Sequence, residues 1–405
     1  MSTSWQFSTH RTRWLFGSCG LLAEHRLHIN SLEIAAMLAS YTSLHALPIP
    51  APVPDPDDRD PDRVSPDDPA SVMGNPVGSA SVQVAAPHAA AHLQRPSPPS
   101  SSSFFTAEDA LTITSYYAHK TVLVCQELQK AFYLPDHVAF TAAAYFRRFF
   151  LKNSLLEIPC QPKAIMFTCV YLACKAEERY VGAEELAKIN GEDPKEILSL
   201  ELHVLNGLDF DLVVHGPVWP LRGWTEALWR CLGANAPDEA TQKKVYANAL
   251  KEALDLWLTD AMFVSPPSVI TLLALRRACE GGALAGNVAS DAHLSSHGGL
   301  VTPPPPTTTS GKSDDGAPMS PAAVRSALDA LHKSFPPGSG ESPRTADASA
   351  ADLKRRKCRN PANDPSTELY AHLRRQEDEE RAEKKRAKLE KKRAKQEEDY
   401  AVLNL

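Results

Sequence analysis

The chain has 405 residues, with 43 Lys and Arg against 49 Asp and Glu, a formal charge of −6, and 33 prolines. That charge balance excludes a uniformly basic nucleic-acid binder, and so many prolines exclude one continuous packed body. Residues 48–99 hold 13 prolines and residues 303–365 hold 11, against 9 across 106–300, so the globular part is expected in the middle of the chain.

Residues 1–47 read as an N-terminal arm. It carries Trp5, Phe7, Trp14, Leu15 and Phe16, then a weak helical pattern from about Leu21 to Leu38. Arg11 and Arg13 ahead of Trp14–Ala23 look somewhat like a targeting segment, but the apolar run is short and no small-x-small site closes it. Residues 48–105 are disordered by composition, with Asp-Pro repeats followed by Ala, Ser and Pro.

Order is expected from Thr106, whose hydroxyl can meet free N–H groups while Asp109 faces the positive end of a helix. Ile113, Tyr116, Tyr117, Leu123, Leu128 and Phe132 supply its apolar side, and Pro135 stops it. A second helix runs from about Asp136 to Leu151, with Ala142, Ala143 and Ala144 giving a thin surface for close packing. A third starts at Pro162 and is apolar nearly all round to about Glu178, which makes it the buried centre of a bundle. A short fourth spans about Ala183–Ile189. The fifth opens with Asp193, Pro194 and, three residues from the cap, Glu196.

The pattern then repeats, with helices expected over Leu221–Leu232, Glu239–Val264 and Ser268–Glu280. Pro162, Ile165, Ala173 and Cys174 recur as Pro267, Ile270, Ala278 and Cys279 at a single offset, the mark of a duplicated helical unit. Gly, Ser and Pro interrupt the second unit over about 282–318, and Ser320–Phe335 returns as an amphipathic helix. A polar linker then leads to a charged helix over Thr367–Asp399, where Glu377/Arg381 and Glu380/Lys384 lie four apart.

The eight cysteines form no Cys-x-x-Cys pair, which argues against a zinc ribbon and for reduced cysteines in an intracellular protein. The stretch Ala164–Cys174 falls far short of the roughly 20 residues that span a bilayer. Gly311-Lys312-Ser313 imitates the end of a phosphate-binding loop, but Pro306 stands where its first glycine belongs. No catalytic signature is present, and neither a cofactor nor a metal is expected. Residues 106–213 carry 10 Lys and Arg against 15 Asp and Glu, so the first unit would repel phosphates. The cluster Lys354-Arg355-Arg356-Lys357 suits nuclear import. Lys384–Lys395 is basic with interleaved acids, and direct nucleic-acid binding is not expected.

Three segments resemble cyclins: Ala144–Ser154 (Ala-Tyr-Phe-Arg-Arg-Phe-Phe-Leu-Lys-Asn-Ser), Thr168–Glu178 (Thr-Cys-Val-Tyr-Leu-Ala-Cys-Lys-Ala-Glu-Glu) and Leu208–Pro217 (Leu-Asp-Phe-Asp-Leu-Val-Val-His-Gly-Pro). Within that family they are most similar to the transcription-type cyclins of the H kind. The resemblance implies an all-α fold of two tandem five-helix cyclin boxes, with an N-terminal helical arm, a C-terminal charged helix and long disordered inserts. The first box would take residues 106–213 and the second 214–335, with the polar linker and charged helix over 336–405. The resemblance further implies a nuclear, non-catalytic activator of a cyclin-dependent kinase in the CDK-activating kinase and TFIIH. Its expected partners are the kinase catalytic subunit, a RING-finger assembly factor and the TFIIH core, with no membrane. Carried over by position, Lys175 and Glu201 would hold kinase backbone groups over an apolar floor of Leu172, Phe210 and Leu212. Without the resemblance, Lys175 reads as a helix-end cation, Glu201 as a helix-face acid and Phe210 as a core aromatic. Cell-cycle cyclins carry an aspartate where Arg147 stands here, and Tyr116–Val124 lacks their Met-Arg-Ala-Ile-Leu sequence, so their mode of substrate docking is not expected. The remaining alternatives are a transcription cyclin of the C, K, L or T type, a TFIIB-like DNA-binding factor, and an inert scaffold.

Overall fold

The computed structural model describes residues 14–16, 18–46, 104–156, 161–191, 193–280, 321–364 and 366–403. The expectations for the 48–103 linker, the 282–318 insert, Trp5 and Phe7 lie outside the described residues. Among the described residues the regular structure is helical: α1 (Cys19–Ala46), α2 (Ala107–Phe132), α3 (Asp136–Lys152), α4 (Pro162–Ala176), α5 (Ala183–Asn190), α6 (Pro194–Gly207), α7 (Val218–Leu232), α8 (Glu239–Trp257), α9 (Ala261–Val264), α10 (Pro267–Glu280), α11 (Pro321–Ser334), α12 (Thr345–Lys357) and α13 (Glu368–Leu403).

Helices α2 to α6 form the first box around α4. The N-terminus of α2 closes reciprocally: Thr106 Oγ1 accepts from the Asp109 N–H at 3.1 Å, and the Asp109 carboxylate accepts from the Thr106 N–H at 3.0 Å. The buried side of α2 is Ile113, Ala118, Val122, Cys125 and Leu128, whereas Leu123 faces solvent one residue off that stripe. Small side chains let α3 come close, and Ala142, Ala143 and Ala144 are wholly buried. Helix α4 starts at Pro162 and buries residues on every side, packing against α2, α3, α5 and α6.

Helices α7 to α11 form the second box around α10, which packs on α7, α8 and α11. Pro162 and Pro267 open the two central helices, as the offset in the sequence predicts. The single helix expected over Glu239–Val264 is broken after Trp257 into α8 and α9. The break has a partner: Arg147 of α3 donates from Nη1 to the carbonyls of Trp257, at 3.1 Å, and of Thr259. Its Nη2 meets Asp260 Oδ1 at 2.7 Å.

Asp260 also receives both terminal nitrogens of Arg26 on α1, at 2.6 and 2.8 Å. The Arg26–Asp260–Arg147 triad therefore joins the N-terminal helix, the first box and the second. Burial pushes the Asp260 carboxyl up, but the two guanidinium groups outweigh it and hold it below the usual carboxylate range. Burial lowers Arg147 to about 10, opposed by Asp260. Nearby, the Trp257 indole N–H donates to the Phe140 carbonyl at 3.0 Å. Trp14 is fully buried, donates to Asp211 Oδ2 at 2.8 Å and lies against Arg148 and Lys152.

Residues 345–357, expected within a polar linker, instead form α12, which packs on α2. Ala348, Ala351 and the stem of Arg355 are buried there, and the Phe105 N–H points at Cys358 Sγ, 3.3 Å away. The basic cluster 354–357 is thus part of a docked helix. Lys354 pairs with Asp109, and Arg355 and Arg356 both pair with Asp352.

Candidate functional site

The site is built on the exposed side of α6 and the end of α4. Asp193 starts α6 by accepting from the Lys195 N–H at 2.9 Å, with Pro194 at the first position. This fixes the helical register. Ile197 and Val204 then face the core, while Leu198, Glu201, Leu202 and Leu205 run along the adjoining flank of the helix at i, i+3, i+4 and i+7, with Leu205 packed against the core. Leu198 is 47% exposed and Leu202 61%. The two leucines, a turn apart, form a small exposed apolar patch beside Glu201.

Lys175, in the last turn of α4, reaches across to this stripe. Its Nζ lies 2.5 Å from Glu201 Oε1 and 5.1 Å from the centre of the Tyr171 ring. The hydrogen bond to Glu201 raises the Lys175 ammonium above its ordinary value. The pair is partly exposed, and it presents spare ammonium protons and a spare carboxylate oxygen. Those suit backbone carbonyls and N–H groups at the end of an incoming element.

Beyond α6 the chain turns through Asp209 and Phe210, both left-handed at φ 53° and 55°. Non-glycine residues occupy that region only where surrounding contacts hold them. Here the Phe210 N–H donates to the Leu205 carbonyl at 2.9 Å, and Lys152 pairs with Asp209. The strained turn puts Phe210 outward, 59% exposed. Tyr145 Oη donates to the Leu212 carbonyl at 2.6 Å, and Arg148 Nη1 to the Val213 carbonyl at 3.2 Å. The Tyr145–Arg148 segment is thereby the support of this turn on one side and of the second box on the other.

The structure therefore joins Lys175 to Glu201 and exposes Phe210, with Leu212 half-buried beside it. Leu172, on α4, is buried at 3% exposure behind this surface. A helix apolar all round sends one such leucine inward whichever partner it serves. Leu198 and Leu202 were missed, although counting from the Asp193-Pro194 start places them beside Glu201. Cys174, next to Lys175, is buried and its thiol is pushed up to about 11, which makes it a packing residue. Glu177, at the end of α4, accepts from Thr141 Oγ1 at 2.6 Å. Among the described residues no group of three His, Cys, Asp or Glu side chains is placed to hold a metal, and no helix is long and apolar enough to cross a membrane.

Residues 88–213 match the family of the cyclin N-terminal domain. Over those residues the chain is similar to a cyclin box. It is 36% identical over 171 residues to cyclin-H1-1 of Arabidopsis thaliana, covering 42% of this chain and 49% of that relative. It is 33% identical over 193 residues to cyclin-H of Xenopus laevis, covering 44% and 55%. The chain thus spans about half the length of the curated relatives it matches. A chain in the structure of the CAK complex of Chaetomium thermophilum bound to ATP-gamma-S shares the fold. There the TM-score is 0.58 at 22% identity, covering 92% of this chain and 95% of that one. The resemblance to cyclins, and to the H kind among them, is borne out.

Proposed function

We propose that this cyclin is the regulatory subunit of a CDK-activating kinase, and that the face made by α4, α6 and the 208–212 turn seats the helix that carries the kinase's glutamate. The observation that carries the reading is the Lys175–Glu201 pair set in an exposed leucine stripe. Its charged groups would bond backbone at the end of the kinase helix, while Leu198, Leu202 and Phe210 cover its apolar side. A rigid box pressed there moves the helix inward, completes the kinase's Lys–Glu pair and frees its activation loop. The box itself makes and breaks no bond. By likeness to the H-type cyclins, the complex would include a RING-finger assembly factor and the TFIIH core. It would phosphorylate the RNA polymerase II C-terminal domain and other kinases' activation loops, in the nucleus.

The test is co-purification of the CDK-activating kinase catalytic subunit with the wild-type chain and with the double variant Lys175→Ala/Glu201→Ala. The expected result is at least tenfold weaker capture and loss of kinase activity, with the melting temperature nearly unchanged. Undiminished capture would remove both residues from the site. Capture of a different transcription kinase would place the chain with the C, K, L or T cyclins.

A further inference from the structure

Helix α13 carries its charge in alternating blocks, with a basic stretch between two acidic ones. Residues 377–383 hold five acids against Arg381, whereas residues 384–393 hold seven Lys or Arg against Glu390 alone. All of 384–393 are exposed, and Lys384 pairs with Glu380 one turn back. Close to the body, Leu369 is buried, so the helix is anchored at its start. Its basic stretch begins about 24 Å along the axis from Glu368, at 1.5 Å per residue. The preceding acidic block therefore stands between the basic stretch and the acidic first box, and a continuous helix cannot fold back to neutralise itself.

We infer that the 384–393 stretch of α13 binds the phosphate backbone of duplex nucleic acid, without sequence preference. The charge is spread over every side of the helix, because Lys384, Lys385, Arg386, Lys388, Lys391, Lys392 and Arg393 cover nearly three turns. Leu389 is the single large apolar side chain among them, so there is no apolar stripe to enter a lipid surface. A cationic cylinder of α-helical width fits the major groove, where phosphates line both walls. The expectation from sequence was that interleaved acids would cancel this cluster. The acids are instead grouped in blocks on either side of it, 377–383 before and 397–399 after, and inside 384–395 one glutamate stands among eight Lys and Arg. The inference is independent of the kinase-docking face.

The test is fluorescence anisotropy of a labelled 20-base-pair DNA duplex titrated with the full chain, alone and in complex with its kinase. Saturable binding is expected at 50 mM salt, weakening about a hundredfold by 200 mM if some four phosphates are contacted. Replacing the seven cations by Gln, which keeps helix propensity, should weaken binding at least tenfold and leave kinase capture intact. Glu390→Lys should tighten it several-fold. No binding by the wild type at 50 mM salt, or equal binding by the Gln variant, overturns the inference. So does displacement by length-matched polyglutamate as effective as by unlabelled duplex, which would assign the helix to an acidic polypeptide.

Discussion

The two boxes bury the same kind of helix and present different surfaces. Pro162 and Pro267 start central helices that pack alike, and Cys174 and Cys279 are buried at matching positions. One residue further on, the match ends: Lys175 of the first box corresponds to Glu280 of the second. Lys175 reaches across to Glu201 of another helix, whereas Glu280 is bonded by Arg276 four residues back on its own. A repeat conserves volume and apolar pattern, because packing demands them. The polar groups at the helix ends are free to diverge, so the two units present different surfaces there.

The strongest way to break this comparison is to separate the boxes. Trp257→Ala empties a fully buried site and leaves the Phe140 carbonyl without its indole donor. It should cost about 4 kcal/mol, read as a fall in the urea midpoint. Asp260→Asn leaves Arg147 buried without its carboxylate and should cost about 3 kcal/mol. The same carboxylate makes stability depend on acid. Its folded-state pKa is lowered, so its contribution is complete above the unfolded value near 3.9 and is lost as pH falls through the lower folded value. Urea midpoints from pH 6 to pH 2 should fall less steeply in Asp260→Asn than in the wild type. Equal slopes would show that the triad is not coupled to folding.

Smaller effects sharpen the contrast between surfaces. Leu198→Asp/Leu202→Asp should weaken kinase capture at least tenfold, about 1.4 kcal/mol, while circular dichroism melting stays within a degree or two. Thr106→Ala removes the α2 cap and should cost about 1 kcal/mol, measured by chemical denaturation. Glu280→Lys copies the first-box lysine into the second box. It should leave kinase capture and stoichiometry unchanged, and a second bound kinase would refute the asymmetry.

Much of this was legible along the chain. The Thr106 and Asp193 starts, the all-apolar α4 and the duplicated proline and cysteine positions are local signals, fixed by hydrogen-bond geometry and helical period. Lys175, Glu201 and Phe210 were found only because their sequence context resembles cyclins. Nothing local says that a lysine at one helix end will meet a glutamate 26 residues later. The depth of Leu172 was likewise not legible, since depth in a bundle is a property of all the helices around it.

The sequence by itself determined the helices, their order, their repetition and the charge blocks of α13, because capping, period and composition act over a few residues. Tertiary structure alone decided that Arg147 splits α8 from α9, that Trp14 and Arg26 bind the arm to both boxes, and that 345–357 docks as a helix on α2. Each of these depends on a buried charge or aromatic ring finding its partner far along the chain. Such a partner is chosen by where packing brings it, and no short stretch of residues records that.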